Sequence, residues 1–145
     1  MVDIDIGELR ENDYKQYCNL LQQLTVIHPE KINLDNFKKH FDLIKLNPLH
    51  KIMIAYYNDI IVGTITVLIE PKFIHDLSYV AHIEDLVVDS HYRCRGISKI
   101  LINAAINVAL QNNCYKIILN CSDEMVTLYE KNGFNKKGYE MVRYL

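Results

Sequence analysis

The 145-residue chain has no tryptophan, few prolines and glycines, and no long apolar run. A membrane-spanning helix needs about 20 consecutive apolar residues, and charges interrupt every apolar run before that length. With only three prolines and five glycines, the sequence also contains no linker-like or repetitive segment. We therefore expect residues 1–145 to form one globular domain, and not a membrane, fibrous or multidomain protein.

A large excess of one charge is also absent, because Lys and Arg total 16, Asp and Glu total 18, and the net charge is -2. This balance excludes a general polyanion binder, so no nucleic-acid partner is expected and any anion site must be local. The acidic start MVDIDIGELRENDY lacks the basic and apolar regions of a signal peptide, which predicts a soluble, cytoplasmic protein without a membrane partner. The four cysteines form no C-x-x-C pair, so we expect reduced thiols, no disulfide and no metal site.

Hydrophobic periodicity predicts a mixed α/β fold that begins with antiparallel strands. A strand over Ile4–Leu9 is followed by a helix that ends near Leu24. Asn33 is a candidate cap for a second helix, whose apolar residues recur at spacings of three and four. Two strands rich in isoleucine, valine and tyrosine then meet at Asn58–Asp59, a pair that tolerates the positive φ of a tight hairpin turn.

The second half of the chain predicts a parallel β-α-β unit. The strand Tyr79–Val88 leads into a helix with an apolar stripe from Ile97 to Ala109, and Tyr115–Cys121 is a short buried strand. A last helix is expected to stop at Gly133, which suits the left-handed position after a helix. Phe134–Leu145 alternates enough to predict a final strand.

The turn between the strand and the helix of that unit reads RCRGIS, from Arg93 to Ser98. A helix start presents unpaired N–H groups and the positive end of the macrodipole, and Gly96 would let an anion approach the backbone closely. Arg93 and Arg95 would add charge and forked donors. The turn matches neither a P-loop nor a dinucleotide fingerprint. From these residues alone, it is either a phosphate cradle or, more commonly, a basic helix entry with solvated arginines.

Arg93-x-x-Gly96-x-Ser98, between a strand and an amphipathic helix, resembles the coenzyme motif of the GNAT superfamily. The segments LLQQLTV, HIEDLVVD, CYKIILNC and YEKNGF resemble, in order and spacing, the glucosamine 6-phosphate N-acetyltransferases of that superfamily. The resemblance covers nearly the whole chain. It implies the GNAT acyl-CoA N-acyltransferase fold, in which a mixed central sheet is antiparallel in its N-terminal part, parallel at its splayed β-α-β centre, and flanked by helices. It also implies that a homodimer transfers acetyl from acetyl-CoA to the 2-amino group of glucosamine 6-phosphate, in the route to UDP-N-acetylglucosamine.

The same resemblance implies where the co-substrate acetyl-CoA is held. The backbone of the turn would cradle the pyrophosphate, and the end of the preceding strand would pair with the pantetheine arm like an added strand. The expected coenzyme-binding residues are Leu86, Val87, Val88, Arg93, Cys94, Arg95, Gly96, Ile97 and Ser98. Ser98 departs from the glycine or alanine that is usual in the motif, and adds a hydroxyl beside the anion.

The resemblance places the carboxylates Glu84 and Asp85 at the sugar end of the site. Neighbours on a regular strand point to opposite faces, so both can line one site only if a bulge re-aims one of them. We expect Glu84 to be the proton acceptor, because burial raises the pKa of a carboxyl group towards neutrality. Without the resemblance, a solvent-facing pair or a bridge to a neighbouring lysine accounts for these residues equally well.

Tyr129 and Asn120 complete the expected catalytic set. The resemblance implies that Tyr129 hydrogen-bonds the leaving thiolate and returns a proton to it. Composition alone favours a packed helical tyrosine, because the chain has ten tyrosines. Asn120 stands where the family usually carries Asp or Glu, and an amide takes no proton. Met125 replaces a frequent asparagine and is not assigned to the site, and with Asn120 and Ser98 it leaves open an acyl-CoA-binding module with weak or no catalysis.

A sugar phosphate needs cationic partners, for which the candidates are Lys72, His75 and Arg143, with Thr25 as a hydroxyl donor. A solvated surface position is the commoner interpretation of each cation. The resemblance places the C-terminal strand, and approximately Arg143, at the sugar site of the partner subunit. A GNAT enzyme for another amine, such as a polyamine, an antibiotic or a protein lysine, is the remaining alternative.

Overall fold

A computed structural model of the chain describes residues 3–145, and its strands form one sheet of order β1-β2-β3-β4-β5. The strands are β1 (Asp5–Glu8), β2 (His50–Tyr57), β3 (Ile60–Pro71), β4 (Tyr79–Val88) and β5 (Cys114–Ile118). The helices are α1 (Tyr14–Leu21), α2 (Leu34–Lys45), α3 (Ile74–Leu77), α4 (Ile97–Gln111) and α5 (Val126–Glu130). Among residues 3–145, no helix has both the length and the apolar character needed to cross a bilayer.

The sheet is mixed, as the sequence predicts. Strands β1 to β4 pair antiparallel in chain order, whereas β5 pairs parallel with β4 after the crossover through α4. The hairpin between β2 and β3 turns at Asn58 and Asp59, whose φ values of 48° and 62° confirm the expected left-handed turn. The parallel pair therefore lies at one edge of an otherwise antiparallel sheet.

Two predicted helix boundaries are confirmed by their local geometry. The Asn33 side chain accepts a hydrogen bond from the Asn36 N–H at 2.9 Å and so caps α2. Gly133 has the expected left-handed φ, 87°, which glycine adopts without a steric penalty, although α5 itself ends at Glu130 and residues 131–133 form a turn. Helix α1 ends at Leu21, slightly before the expected Leu24, where the chain continues as a turn.

Asp13, at the start of α1, fixes this helix to the sheet. Its carboxylate is buried, accepts a hydrogen bond from the Tyr56 hydroxyl at 2.6 Å, and pairs with Arg10 at 3.2 Å. Burial raises the pKa of Asp13, but the bonds from Tyr56 and Arg10 outweigh burial and hold that pKa below its ordinary value. The carboxylate thus stays ionised and joins α1 to β2.

Helices cover both faces of the sheet. On one face, α4 buries an apolar stripe against β3 and β4, and this stripe consists of Ile97, Leu101, Ile102, Ala105 and Ala109. Gly63 on β3 permits this close approach, because a Cβ there would lie 2.9 Å from Leu101 and 3.2 Å from the Val87 carbonyl. On the other face, Tyr17 and Leu20 of α1 pack on β2 and β3. The core therefore holds β3 and β4 between helices on both faces of the sheet.

The predicted final strand Phe134–Leu145 is wrong for the single chain. Residues 135–145 form neither helix nor strand, and the Tyr139 side chain is 98% exposed. A strand needs a hydrogen-bonded neighbour, and within residues 3–145 this segment pairs with none. Gly138, with a φ of 77°, also interrupts the alternation on which the prediction depended.

Candidate active site

The sheet opens where β5 ends. β5 pairs with β4 only as far as Ile118 opposite His82, whereas β4 continues to Val88. No strand among residues 3–145 pairs with this edge of β4 between Ile83 and Val88. The backbone groups along that edge are therefore available to an extended ligand, in the manner of an added strand. The expected segment Leu86–Val88 lies on this free edge.

The turn Arg93–Ser98 follows β4 and forms a concave backbone. Cys94 and Gly96 have φ values of 60° and 81°, and such left-handed residues turn successive N–H groups towards one anion site. Among residues 3–145, no backbone acceptor receives the N–H groups of Arg93 to Gly96. A Cβ on Gly96 would meet nothing within 4 Å, so the space before this glycine is open. The geometry fits the predicted cradle.

The two arginines of the turn are held at its rim. Arg93 donates from Nε to the Val88 carbonyl at 3.0 Å, and Arg95 donates from Nη2 to the His91 carbonyl at 3.1 Å. The Arg95 guanidinium also lies 5.1 Å from the centre of the Tyr92 ring. Each guanidinium keeps further donors for an anion.

The remaining cradle residues contribute in different ways. The Ile97 side chain is buried under the sheet, so this residue offers the site only its backbone. Ser98 is half-buried in the first turn of α4, and Cys94 is exposed. The cradle is therefore made mainly of main-chain N–H donors, which can bind a phosphate whatever group is attached to it.

Glu84 and Asp85 lie at a β-bulge, the feature that two adjacent strand residues need in order to line one site. Thr64 on β3 pairs with Val87 and Thr66 pairs with Glu84, so one residue of β3 faces two of β4. Asp85 takes a φ of 51°, which re-aims its side chain. Burial together with the Asp85 charge raises the pKa of Tyr17 to about 12, so Asp85 faces α1.

Glu84 is exposed, so the expectation that it is buried is wrong for the single chain. Burial raises the pKa of Tyr129 most, and the nearby Cys121 and Glu84 raise it further. Asp85 therefore lies near α1, and Glu84 lies near Tyr129 of α5. We call the opening beside the free edge of β4, next to these two carboxylates, the cleft.

Tyr129 combines a buried ring with an accessible hydroxyl. The residue is 7% exposed, and its ring contacts Phe134 edge-on at 5.7 Å between centroids. Its hydroxyl forms no hydrogen bond within residues 3–145. Every buried side-chain oxygen in those residues has a hydrogen-bond partner, so this hydroxyl is not fully buried and reaches solvent. With a raised pKa, this phenol stays protonated at neutral pH and can donate to a ligand.

Asn120 lies two residues beyond the end of β5, where the chain no longer pairs with β4. Its side chain is exposed. Met125 lies in the turn before α5 and is 38% exposed. Of the expected catalytic residues, Glu84 lies near Tyr129, and Asn120 is exposed in the chain that follows β5.

The four substrate candidates are not collected in the single chain. Thr25 follows α1 and is exposed. Lys72 pairs with Glu70, which also accepts from His82 at 2.8 Å. Glu70 is level with Val80, and four residues of strand, or about 13 Å, separate that level from Glu84.

In the described part of the chain, the other two candidates form no hydrogen bond or ion pair with the carboxylates. His75 has a φ of 54° in α3, and its ring lies 4.3 Å from that of Tyr115. Arg143 is exposed in the unpaired C-terminal segment. Within residues 3–145, neither residue contacts Glu84 or Asp85, so one chain alone does not assemble the expected phosphate pocket.

The family model described as "Acetyltransferase (GNAT) family" matches residues 15–134. The chain belongs to the GNAT acetyltransferase family. The free edge of β4, the concave turn and α4 all lie inside the matched region. The C-terminal segment that forms no strand lies outside it.

Among GNAT proteins, this chain is similar to enzymes named glucosamine 6-phosphate N-acetyltransferase. It is 32% identical to that of Trypanosoma brucei brucei, over 97% of this chain and 95% of the relative. It is 34% identical to that of Candida albicans, over 93% of this chain and 91% of the relative. A crystal structure of glucosamine-6-phosphate N-acetyltransferase from Arabidopsis thaliana matches with a TM-score of 0.92 at 32% identity, covering 98% of each chain.

Two features of this GNAT site have no local signal in the sequence. Gln23, at the end of α1, bonds to Asp89 and Ser90 after β4, across 66 and 67 positions. Tyr17 of α1 lies near Asp85. Both contacts join elements that are distant in sequence, so periodicity and motif spacing could not predict them.

Within residues 3–145, no group of three or more His, Cys, Asp or Glu side chains is placed to hold a metal ion.

Proposed function

We propose that this chain transfers the acetyl group of acetyl-CoA to the 2-amino group of D-glucosamine 6-phosphate, releasing CoA and N-acetyl-D-glucosamine 6-phosphate. The observation that carries the proposal is the placement of a concave, donor-rich turn beside a free strand edge and a carboxylate bulge. The sugar is indicated by the likeness to three glucosamine 6-phosphate N-acetyltransferases over more than nine-tenths of the chain.

The open end of the sheet fits acetyl-CoA in two ways. The N–H groups of Arg93–Ser98, with the two arginines at the rim, suit the pyrophosphate. The free edge at Leu86–Val88 suits the amide-containing pantetheine arm. An arm bound there would bring its thioester towards the cleft between Glu84 and Tyr129.

Chemistry at the cleft needs one proton acceptor and one proton donor. The neutral amine attacks the thioester carbonyl, the C–N bond forms, and the C–S bond breaks. The amine's surplus proton passes to Glu84 through water, because this carboxylate is exposed to solvent. The Tyr129 phenol donates a proton to the departing thiolate. Asn120 orients the acceptor by hydrogen bonds and takes no proton.

We further propose that the acceptor site is completed by a second subunit in a homodimer. In one chain, the apolar C-terminal side chains are exposed and β5 has a free outer edge. Burying such surface is favourable, and an edge strand invites pairing. Across a twofold interface, Lys72, His75 and Arg143 of one chain could serve the phosphate bound beside Glu84 and Asp85 of the other.

The test is thiol release from acetyl-CoA with a panel of amines: glucosamine 6-phosphate, glucosamine, spermidine, an aminoglycoside and a lysine peptide. We expect glucosamine 6-phosphate to give a kcat/KM about 100-fold above that of glucosamine, because free glucosamine cannot form the charge-assisted bonds to a phosphate. Equal rates with both sugars would overturn the acceptor assignment. Acetyl-CoA binding without thiol release from any amine would identify a binding module instead.

A further inference from the structure

A side-chain clamp joins the end of α1 to the segment that leads into the coenzyme cradle. The Gln23 Nε2 group donates to Asp89 Oδ2 at 2.8 Å, and the Ser90 N–H donates to Gln23 Oε1 at 2.8 Å. One amide therefore satisfies two different groups of the chain directly after β4. Since both bonds are short and use opposite ends of the amide, they fix this segment in one orientation.

Asp89 passes this restraint on to the cradle. Its Oδ1 accepts the His91 N–H at 2.9 Å, and the His91 carbonyl accepts Arg95 Nη2 at 3.1 Å. Its own N–H donates to the Val62 carbonyl at 2.9 Å, which ties it to β3. Partial burial raises the pKa of Asp89, but the bonds from His91 and Gln23 outweigh burial and keep that pKa below its ordinary value. Gln23, Asp89, His91 and Arg95 thus form one connected path.

The clamp also lies close in sequence to Thr25, one of the candidate acceptor-binding residues. Gln23 is two residues before Thr25, whose N–H donates to the Leu21 carbonyl at 3.2 Å. The same turn that carries Thr25 is therefore attached to the segment that carries the cradle. Gln22, the neighbouring glutamine, is exposed and makes no side-chain hydrogen bond within residues 3–145, which offers a matched control.

We propose that Gln23 is a positioning residue for coenzyme binding: it holds Asp89 and Ser90 so that the turn Arg93–Ser98 presents its N–H groups to the pyrophosphate. This inference rests on the proposed function only in taking that turn as the coenzyme cradle. It does not depend on which amine is the acceptor.

The first test measures CoA binding by calorimetry and the acetyl-CoA KM for wild type, Gln23→Ala and Gln22→Ala. We expect Gln23→Ala to weaken CoA binding and raise the acetyl-CoA KM about 5-fold, equivalent to about 1 kcal/mol, with kcat within about two-fold of wild type. Gln22→Ala should behave as wild type. A Gln23→Ala variant that loses thermal stability but binds CoA normally would show a purely structural role and overturn the proposal.

A charge exchange gives the sharper test. Gln23→Glu sets a second carboxylate against Asp89 and should weaken CoA binding about 10-fold or more, because like charges at hydrogen-bond distance repel. Adding Asp89→Asn restores the bond between positions 23 and 89 with donor and acceptor exchanged. The side-chain NH₂ of the new Asn can donate to the carboxylate of the new Glu, and the side-chain oxygen of the Asn can still accept the His91 N–H. The double variant should return to within about two-fold of wild type, whereas each single variant is impaired. Absence of rescue would overturn the clamp.

The two proposals fail in distinguishable ways. If wild type binds CoA but does not prefer glucosamine 6-phosphate, the acceptor assignment fails while the Gln23 series still decides the clamp. If wild type binds acetyl-CoA and acetylates the sugar phosphate, but CoA affinity is the same in wild type and Gln23→Ala, only the clamp fails. If wild type binds no acetyl-CoA, both proposals fail.

Discussion

The coenzyme half and the acceptor half of the cleft differ in how much of each one chain provides. The proposed coenzyme half lies within one chain and consists of the free edge of β4, the turn Arg93–Ser98 and Tyr129. The acceptor half has its carboxylates, but the candidate cations Lys72 and Arg143 lie away from them. Apart from Tyr129 on α5, the coenzyme half comes from a contiguous strand, turn and helix, whereas the acceptor half gathers distant segments.

Removal of the Tyr129 hydroxyl should have the largest effect on the coenzyme half. Loss of a general acid lowers kcat by about 100-fold or more, so Tyr129→Phe should lose activity to that extent. The ring still packs on Phe134, so the melting temperature should stay within about 2 °C of wild type. Steady-state kinetics and thermal unfolding measure both quantities.

The pH profile and a second tyrosine provide the controls. The raised pKa of Tyr129 keeps its phenol protonated from neutral pH to above the ordinary value of 10.0, so no loss of kcat from this group is expected below that pH. Tyr57→Phe, whose ring packs on Tyr92, should keep normal turnover. Normal turnover in Tyr129→Phe would instead show that the tyrosine only packs.

Filling the space before Gly96 should impair the same half through binding. Since a Cβ there meets nothing within 4 Å, the side chain of Gly96→Trp would start from an open position and project into the proposed coenzyme space. We expect the acetyl-CoA KM to rise about 30-fold, equivalent to about 2 kcal/mol. Gly96→Ala carries the same φ strain without the bulk, and should cost only a few-fold. Equal KM values for wild type and Gly96→Trp would remove the cradle assignment.

Mixing two defective subunits tests whether the acceptor half needs a residue from the partner chain. Of these experiments it has the smallest expected change in activity. Gly96→Trp damages the coenzyme half, and Arg143→Ala damages the half expected to serve the partner. After unfolding and refolding together, random pairing should recover about a quarter of wild-type activity, because half of the dimers contain one intact site. Each variant refolded alone is the control. No gain over the two separate activities would mean that each chain uses its own Arg143.

The sequence predicts the local features of the fold better than those that depend on a partner strand. The Asn33 cap, the Asn58–Asp59 turn and the bounds of β4 follow from residues within a few positions of each other. The final strand Phe134–Leu145 does not form, because strand character in a sequence says nothing about whether a neighbouring edge exists in the same chain. Hydrophobic periodicity therefore identifies a segment that is able to form a strand, but not whether a neighbouring strand is there to pair with it.

The candidate site shows the same division. The bulge at Asp85 could be stated in advance as a requirement, because two adjacent strand residues cannot share a face without one. The exposure of Glu84 could not be predicted, since it depends on how far β5 extends beside β4. The Gln23 bonds to Asp89 and Ser90 depend on the final position of α1, which tertiary packing decides.

The early end of β5 also affects the protein while no coenzyme is bound. It leaves an unpaired strand edge from Ile83 to Val88 on β4, next to the last strand of the sheet, and such edges template the association of partly folded chains. A bound pantetheine arm would cover this edge and, by mass action, favour the folded state. The coenzyme would then act as a protective cover for the sheet as well as a source of acetyl groups.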